Sequence, residues 1–80
     1  MDKGEILKTV NDIFIDVLDD ENVVLTYETT ANDVEEWDSL NHIQLVVAIE
    51  KQFGIRFTSQ EIRSWNNIGE LIGSISNRIN

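Results

Sequence analysis

Eighty residues leave room for one hydrophobic core and not for two, and 41% hydrophobic with 26% charged residues is the composition of a folded domain, not a disordered chain. Cysteine is absent, which excludes a disulfide, a thiolate metal site and a thiol nucleophile supplied by the chain itself. Fifteen acids against six bases, a net charge of −9, exclude nucleic acid and anionic lipid as electrostatic partners and favour proteins with basic patches.

The charge is lopsided: residues 1–50 hold thirteen acids and two lysines, net −11, and residues 51–80 hold two acids and four bases, net +2. The plain alternative is that the acids keep a small domain soluble. No apolar run approaches a membrane span. The start, Met1-Asp2-Lys3-Gly4-Glu5, lacks the basic and apolar regions of a signal peptide. The expectation is a cytoplasmic, monomeric single domain covering 1–80, and the absence of proline favours long helices.

Residues 3–18 predict an amphipathic helix. Ile6, Leu7, Val10, Ile13, Phe14, Val17 and Leu18 follow i, i+3, i+4, i+7 spacing, and Asp2 with Glu5 has the form of a capping box. Asp19-Asp20-Glu21-Asn22 ends the helix, because carboxylates there oppose its dipole. Residues 19–38 read as a long connection. Val23-Val24-Leu25-Thr26-Tyr27 resembles a strand without a partner and is expected to be an extended loop sealing one end of a bundle. Asn32-Asp33-Val34-Glu35-Glu36 predicts one helical turn with Asp33 and Glu36 as its cap pair. A connection of this length in a compact domain is usually functional.

The second helix is expected from about Ser39 to Phe53. Leu40, Ile43, Val46, Val47, Ile49 and Phe53 are assigned to its inner side, Asn41, His42, Gln44, Glu50 and Lys51 to its outer side, and Gly54 to the position after its end. Ile55-Arg56-Phe57 then crosses over. Thr58-Ser59-Gln60-Glu61 is a capping box for a short helix through about Ser64 with Ile62 inward, and Trp65-Asn66 breaks it. Asn67-Ile68-Gly69-Glu70 opens the last helix, where Ile68, Leu71, Ile72, Ile75 and Ile79 keep helical spacing. The fold class is all-α: a four-helix bundle of three long helices and one short, with a long loop between helices 1 and 2.

Glu36-Trp37-Asp38-Ser39-Leu40 joins that loop to the second helix. Amide groups in a first helical turn have no intrahelical acceptor and the dipole is positive there, so a phosphate ester on Ser39 meets ready donors. Asp38 caps the same turn, and Leu40 is expected to fix it to the core. Alone, an Asp-Ser-Leu triplet is weak, and its plain reading is an ordinary helix start. Here it opens an amphipathic helix after a long loop in a small acidic bundle, followed by Ile43, Leu45, Ala48, Ile49, Glu50, Phe53, Gly54 and Ile55. In this combination the chain resembles the acyl carrier proteins over most of its length.

The resemblance implies that Ser39 carries 4′-phosphopantetheine, delivered from coenzyme A by a phosphopantetheinyl transferase with help from Asp38. It also implies an arm whose thiol holds acyl groups as thioesters, and a second helix that docks acyl-loading, acyl-transfer or ketosynthase enzymes of fatty acid, polyketide or other acyl biosynthesis. Asn41, His42, Gln44, Glu50 and Trp37 are the expected partner contacts, with Val46 if the helix leaves it exposed. Fatty-acid-synthase members usually have a Gly-Ala-type pair where this chain has Glu36-Trp37, and acids where it has Asn41 and Gln44. These departures imply a dedicated carrier. The alternatives are an aminoacyl or peptidyl carrier, whose usual Gly-Gly pair is also missing, and an unmodified acidic interaction module.

Asp38, Ser39 and His42 include the residue types of a hydrolase triad, but neighbours on one helix do not align in series and no glycine elbow is present. The chain is therefore expected to be non-catalytic, with His42 exposed. One histidine without cysteine excludes a zinc site of the usual kind, and Asp16, Asp19, Asp20 and Glu21 lack the order and glycine of a calcium loop. Trp37 and Trp65 are expected at the edge of the core.

Overall fold

The structure is a computed structural model that describes residues 2–34 and 37–79, with Ser39 described in its backbone. Four helices follow in order: α1 (Lys3–Leu18), α2 (Ser39–Phe53), α3 (Ser59–Ser64) and α4 (Ile68–Ile79). Among the described residues there is no strand, and α1 packs against both α2 and α4.

In α1 the Asp2 carboxylate accepts the Glu5 N–H, and Ile6, Val10, Phe14 and Leu18 place one buried residue on each turn. Its end is made by geometry more than by charge. Asp19 adopts a left-handed conformation (φ 53°), and the N–H groups of Asp19 and Asp20 both return to the Ile15 carbonyl.

The connection runs without regular structure over residues 23–26 and turns at Tyr27 and Glu28, with Val23 and Leu25 buried and Val24 turned out. No strand pairs with it. The Asn11 side chain takes that place, donating to the Val23 carbonyl (3.1 Å) and accepting from the Leu25 N–H (2.6 Å). Asn11 therefore belongs to the packing. Further on, the Asp33 carboxylate accepts the Thr30 N–H (2.9 Å) and so closes the turn before it; Glu36, its expected cap partner, lies outside the described residues.

The loop also docks on α4. Ile68 N–H donates to the Thr29 carbonyl and Gly69 N–H to the Tyr27 carbonyl, each at 2.8 Å, so amides without intrahelical acceptors find them in the connection. Asn67 accepts the Glu70 N–H, and Glu70 reaches back to the Asn66 N–H. Ile68, Leu71, Ile72 and Ile75 are buried.

In α2 the expected inner face is corrected. Leu45, Val46 and Ile49 are buried with Phe53 half-buried, whereas Leu40, Ile43 and Val47 are 70%, 64% and 43% exposed. At 100° per residue, Leu45, Ile49, Phe53 and Val46 form one arc, and Ile43, Val47 and Leu40 form the arc beside it. The bundle covers only the first. His42 falls within that covered arc and is half-buried. Gly54 closes the helix in the left-handed region (φ 65°), with its N–H and that of Ile55 on the Glu50 carbonyl.

The short helix α3 buries no residue fully, and Ile62 is half-buried outside the core cluster, not an inward anchor. Thr58 caps the Glu61 N–H (3.1 Å), and the Glu61 carboxylate reaches both back to the Thr58 backbone and across to Arg78 of α4. The Arg78 guanidinium also lies over the Phe57 ring, 5.4 Å from its centroid. These contacts from α4 hold α3 to the bundle.

Candidate functional site

The loop–α2 junction combines a helix end, an exposed apolar strip and an aromatic cleft. Asp38 is the extended residue before the helix. Its carboxylate accepts the Asn41 N–H (2.9 Å), and its carbonyl accepts the first helical hydrogen bond from the His42 N–H (2.8 Å). Ser39 is the first residue of this 15-residue helix. The amides of such a turn and the positive end of the helix dipole suit a phosphodiester, so the backbone here fits a phosphate-linked group.

Leu40 does not fix the turn to the core, because the bundle covers the neighbouring arc. It starts an outward strip that continues through Ile43 and Val47, with Gln44 exposed alongside. The strip ends at a groove of about 450 Å³ lined by Val47, Glu50, Lys51, Gly54, Ile55 and Arg56. Glu50 is half-buried, and its carboxylate accepts the Phe57 N–H at 2.8 Å, so it helps shape the α2–α3 turn. Val46 is buried and has no surface to offer a partner. Asn41 is half-buried.

On the covered side, five rings form a chain across the molecule. Trp37 meets Phe14 edge-on (centroids 5.1 Å) and stacks on His42 (6.0 Å); His42 meets Trp65 (6.4 Å), and Trp65 meets Phe57 (4.9 Å). Trp37 Nε1–H donates to His42 Nδ1 at 2.9 Å, and Trp65 Nε1–H donates to Ser74 Oγ at 2.9 Å. His42 is therefore not the exposed residue expected of the outer face. Burial pushes its pKa below the ordinary histidine value, which favours the neutral ring that this hydrogen bond requires.

Trp37, Asp38, His42, Trp65, Asn66 and Ala31 line a cleft of about 470 Å³ beside the start of α2. Beneath it the core closes to a void of about 10 Å³, at the limit of one water molecule. The sequence reading missed Trp65 and Asn66 as neighbours of the junction, because nothing in local spacing joins the α3–α4 link to α2. It also missed the strip. The signal was present there: α2 has more apolar positions than one face holds.

A family model described as "Phosphopantetheine attachment site" matches residues 8–75. The acyl carrier protein of Petrotoga mobilis is 25% identical over 80 residues, covering 100% of this chain and 94% of that protein. The acyl carrier protein of Thermosynechococcus vestitus is 29% identical, covering 99% and 98%. The solution NMR structure of holo acyl carrier protein from Geobacter metallireducens superposes with a TM-score of 0.86 at 38% identity, over 91% of this chain and 84% of that one. Fold and family model together define a phosphopantetheine-bearing carrier domain. The chain belongs to the acyl carrier protein family, and its prosthetic group is phosphopantetheine. No helix among the described residues is long and apolar enough to cross a membrane.

Proposed function

We propose that Ser39 is the attachment point of the 4′-phosphopantetheine arm, and that the protein is a non-catalytic cytoplasmic carrier dedicated to partners of its own. The observation that carries this reading is the place of Ser39 as first residue of α2, directly after the capping residue Asp38. The arm supplies a terminal thiol that holds an acyl group as a thioester.

The chain's own part is to anchor and present. Amides of the first turn would hold the phosphodiester, and Asp38 holds that turn closed through the Asn41 N–H. Leu40, Ile43 and Val47 offer a transferase, an acyl-loading enzyme or a ketosynthase an apolar strip, with Gln44 as its polar neighbour. With Asn41 and Gln44 neutral and the Glu50 carboxylate engaged by Phe57, the strip relies little on carboxylate pairs. That favours a dedicated carrier over a general fatty-acid one. His42 Nδ1 accepts from Trp37, so Nε2 carries the proton and has no lone pair with which to act as the base of a hydrolase triad.

Intact-protein mass after incubation with coenzyme A and a broad-specificity phosphopantetheinyl transferase tests the assignment. One arm is expected on the natural chain and none on Ser39→Ala, with circular dichroism unchanged between them. An arm retained by Ser39→Ala would sink the assignment, and an unmodified natural chain would favour a pure interaction module.

A further inference from the structure

The Trp37–His42 hydrogen bond spans the proposed attachment residue: Trp37 stands two positions before Ser39 and His42 three positions after it. Both ends are anchored. Trp37 lies edge-on against Phe14, which is 1% exposed in the core, and its N–H donates to the Val34 carbonyl at 3.0 Å. His42 sits on the covered arc of α2, between the rings of Trp37 and Trp65. The bond thus closes a clamp joining the connection, the core and the first turn of α2. Resting on Ser39 as attachment point, we propose that His42 is a positioning residue for loading: its neutral imidazole clamps the segment before Ser39, and the transferase finds the chain a good substrate only in that state.

The chemistry of the two rings makes the clamp sensitive to protonation. An indole N–H only donates, so His42 Nδ1 must carry a lone pair and Nε2 the proton. An imidazolium donates from both nitrogens, and two N–H groups would then face each other. Among the described residues, Asp38 is the ionisable one that shares the cleft with His42, and its carboxylate is engaged by the Asn41 N–H. Across the cleft the other lining residues are Ala31, Trp65 and Asn66, and α1 contributes Phe14; none of these titrates. The positive end of α2 also disfavours a cation on its first turns.

The test compares the natural chain with His42→Gln, whose amide oxygen accepts at every pH, and His42→Leu, which has no acceptor. Two readouts are needed. In the unloaded protein, 15N-correlated NMR across pH should show the Trp37 indole N–H and the Ser39 amide shifting together with the His42 titration. In loading assays with coenzyme A and one transferase, the kcat/KM ratio of natural chain to His42→Gln should be flat where His42 is neutral. It should fall roughly 3- to 10-fold as His42 protonates, the worth of about one hydrogen bond. His42→Leu should load slowly at all pH values without that acid drop. A ratio flat through the titration, or a folded His42→Leu that loads like the natural chain, overturns the proposal. An arm on Ser39→Ala overturns the attachment reading and the loading role with it, while the NMR experiment still reports whether the clamp exists.

Discussion

Gly69 shows how one missing side chain fixes the loop that leads to the site. A Cβ at this position would stand 2.9 Å from the Tyr27 carbonyl oxygen, a backbone atom that cannot swing aside. That carbonyl accepts the Gly69 N–H, and the Thr29 carbonyl accepts the neighbouring Ile68 N–H. Helix propensity alone says that Gly69→Ala in α4 gains about 0.5–1 kcal/mol. The close approach decides the sign the other way. Displacing the loop weakens two hydrogen bonds and the packing around Thr29, costing about 1–3 kcal/mol. A Gly69→Ala chain should therefore melt at a lower temperature in thermal circular dichroism; a rise would mean that the loop yields freely. Gly73, on the same helix, meets nothing within 4 Å, so Gly73→Ala is the control that should not lose stability.

At the scale of elements, α2 separates the residues that hold the fold from those that meet a partner. Leu40 and Ile43 lie on the uncovered arc, so Leu40→Ser and Ile43→Ser should each change folding stability by no more than about 0.5 kcal/mol. If this arc is the docking strip, each should weaken transferase binding by about 1–2 kcal/mol, the loss of burying one aliphatic side chain, and raise KM without lowering kcat in proportion. Unchanged KM values for both would remove the strip from the docking surface. The same helix shows what the chain made legible. α1 and α4 have one apolar stripe each, and their buried residues follow from spacing. In α2 two apolar arcs adjoin, and spacing alone does not say which one the bundle covers. The covered arc could have been found from His42, Leu45 and Ile49, which stand i, i+3 and i+7, had His42 been weighed as packing and not as surface. The pairing of Val23–Leu25 by Asn11 was not legible, because a side chain replaces a strand at a separation of twelve to fourteen residues. The helix starts at Asp2, Asp38 and Thr58 were legible, since their caps are local chemistry.

Over the whole molecule, charge and the clamp act on stability in different ranges of pH and salt. The first fifty residues carry a net charge of −11 and repel themselves at neutral pH. Salt screens exposed charges over about 8–10 Å at physiological ionic strength, so the melting temperature at pH 7 should rise with added salt. His42 works in the opposite sense to the acids. Its folded-state pKa lies below the unfolded value because burial disfavours the cation, so the unfolded chain binds the proton more readily. The stability His42 contributes is present above the unfolded value, about 6.5, and is lost as pH falls through the lower folded one. Ordinary carboxylates begin to neutralise only nearer pH 4 and relieve repulsion there. In high salt, where repulsion is already screened, lowering the pH from 7 toward 5 should therefore lower the melting temperature of the natural chain, and His42→Gln should abolish most of that drop. Calorimetric scans of both chains at low and high salt measure it. A melting temperature that rises steadily as the solution is acidified in high salt would mean that repulsion among the acids outweighs the buried imidazole, and that His42 takes up its proton without disturbing the fold.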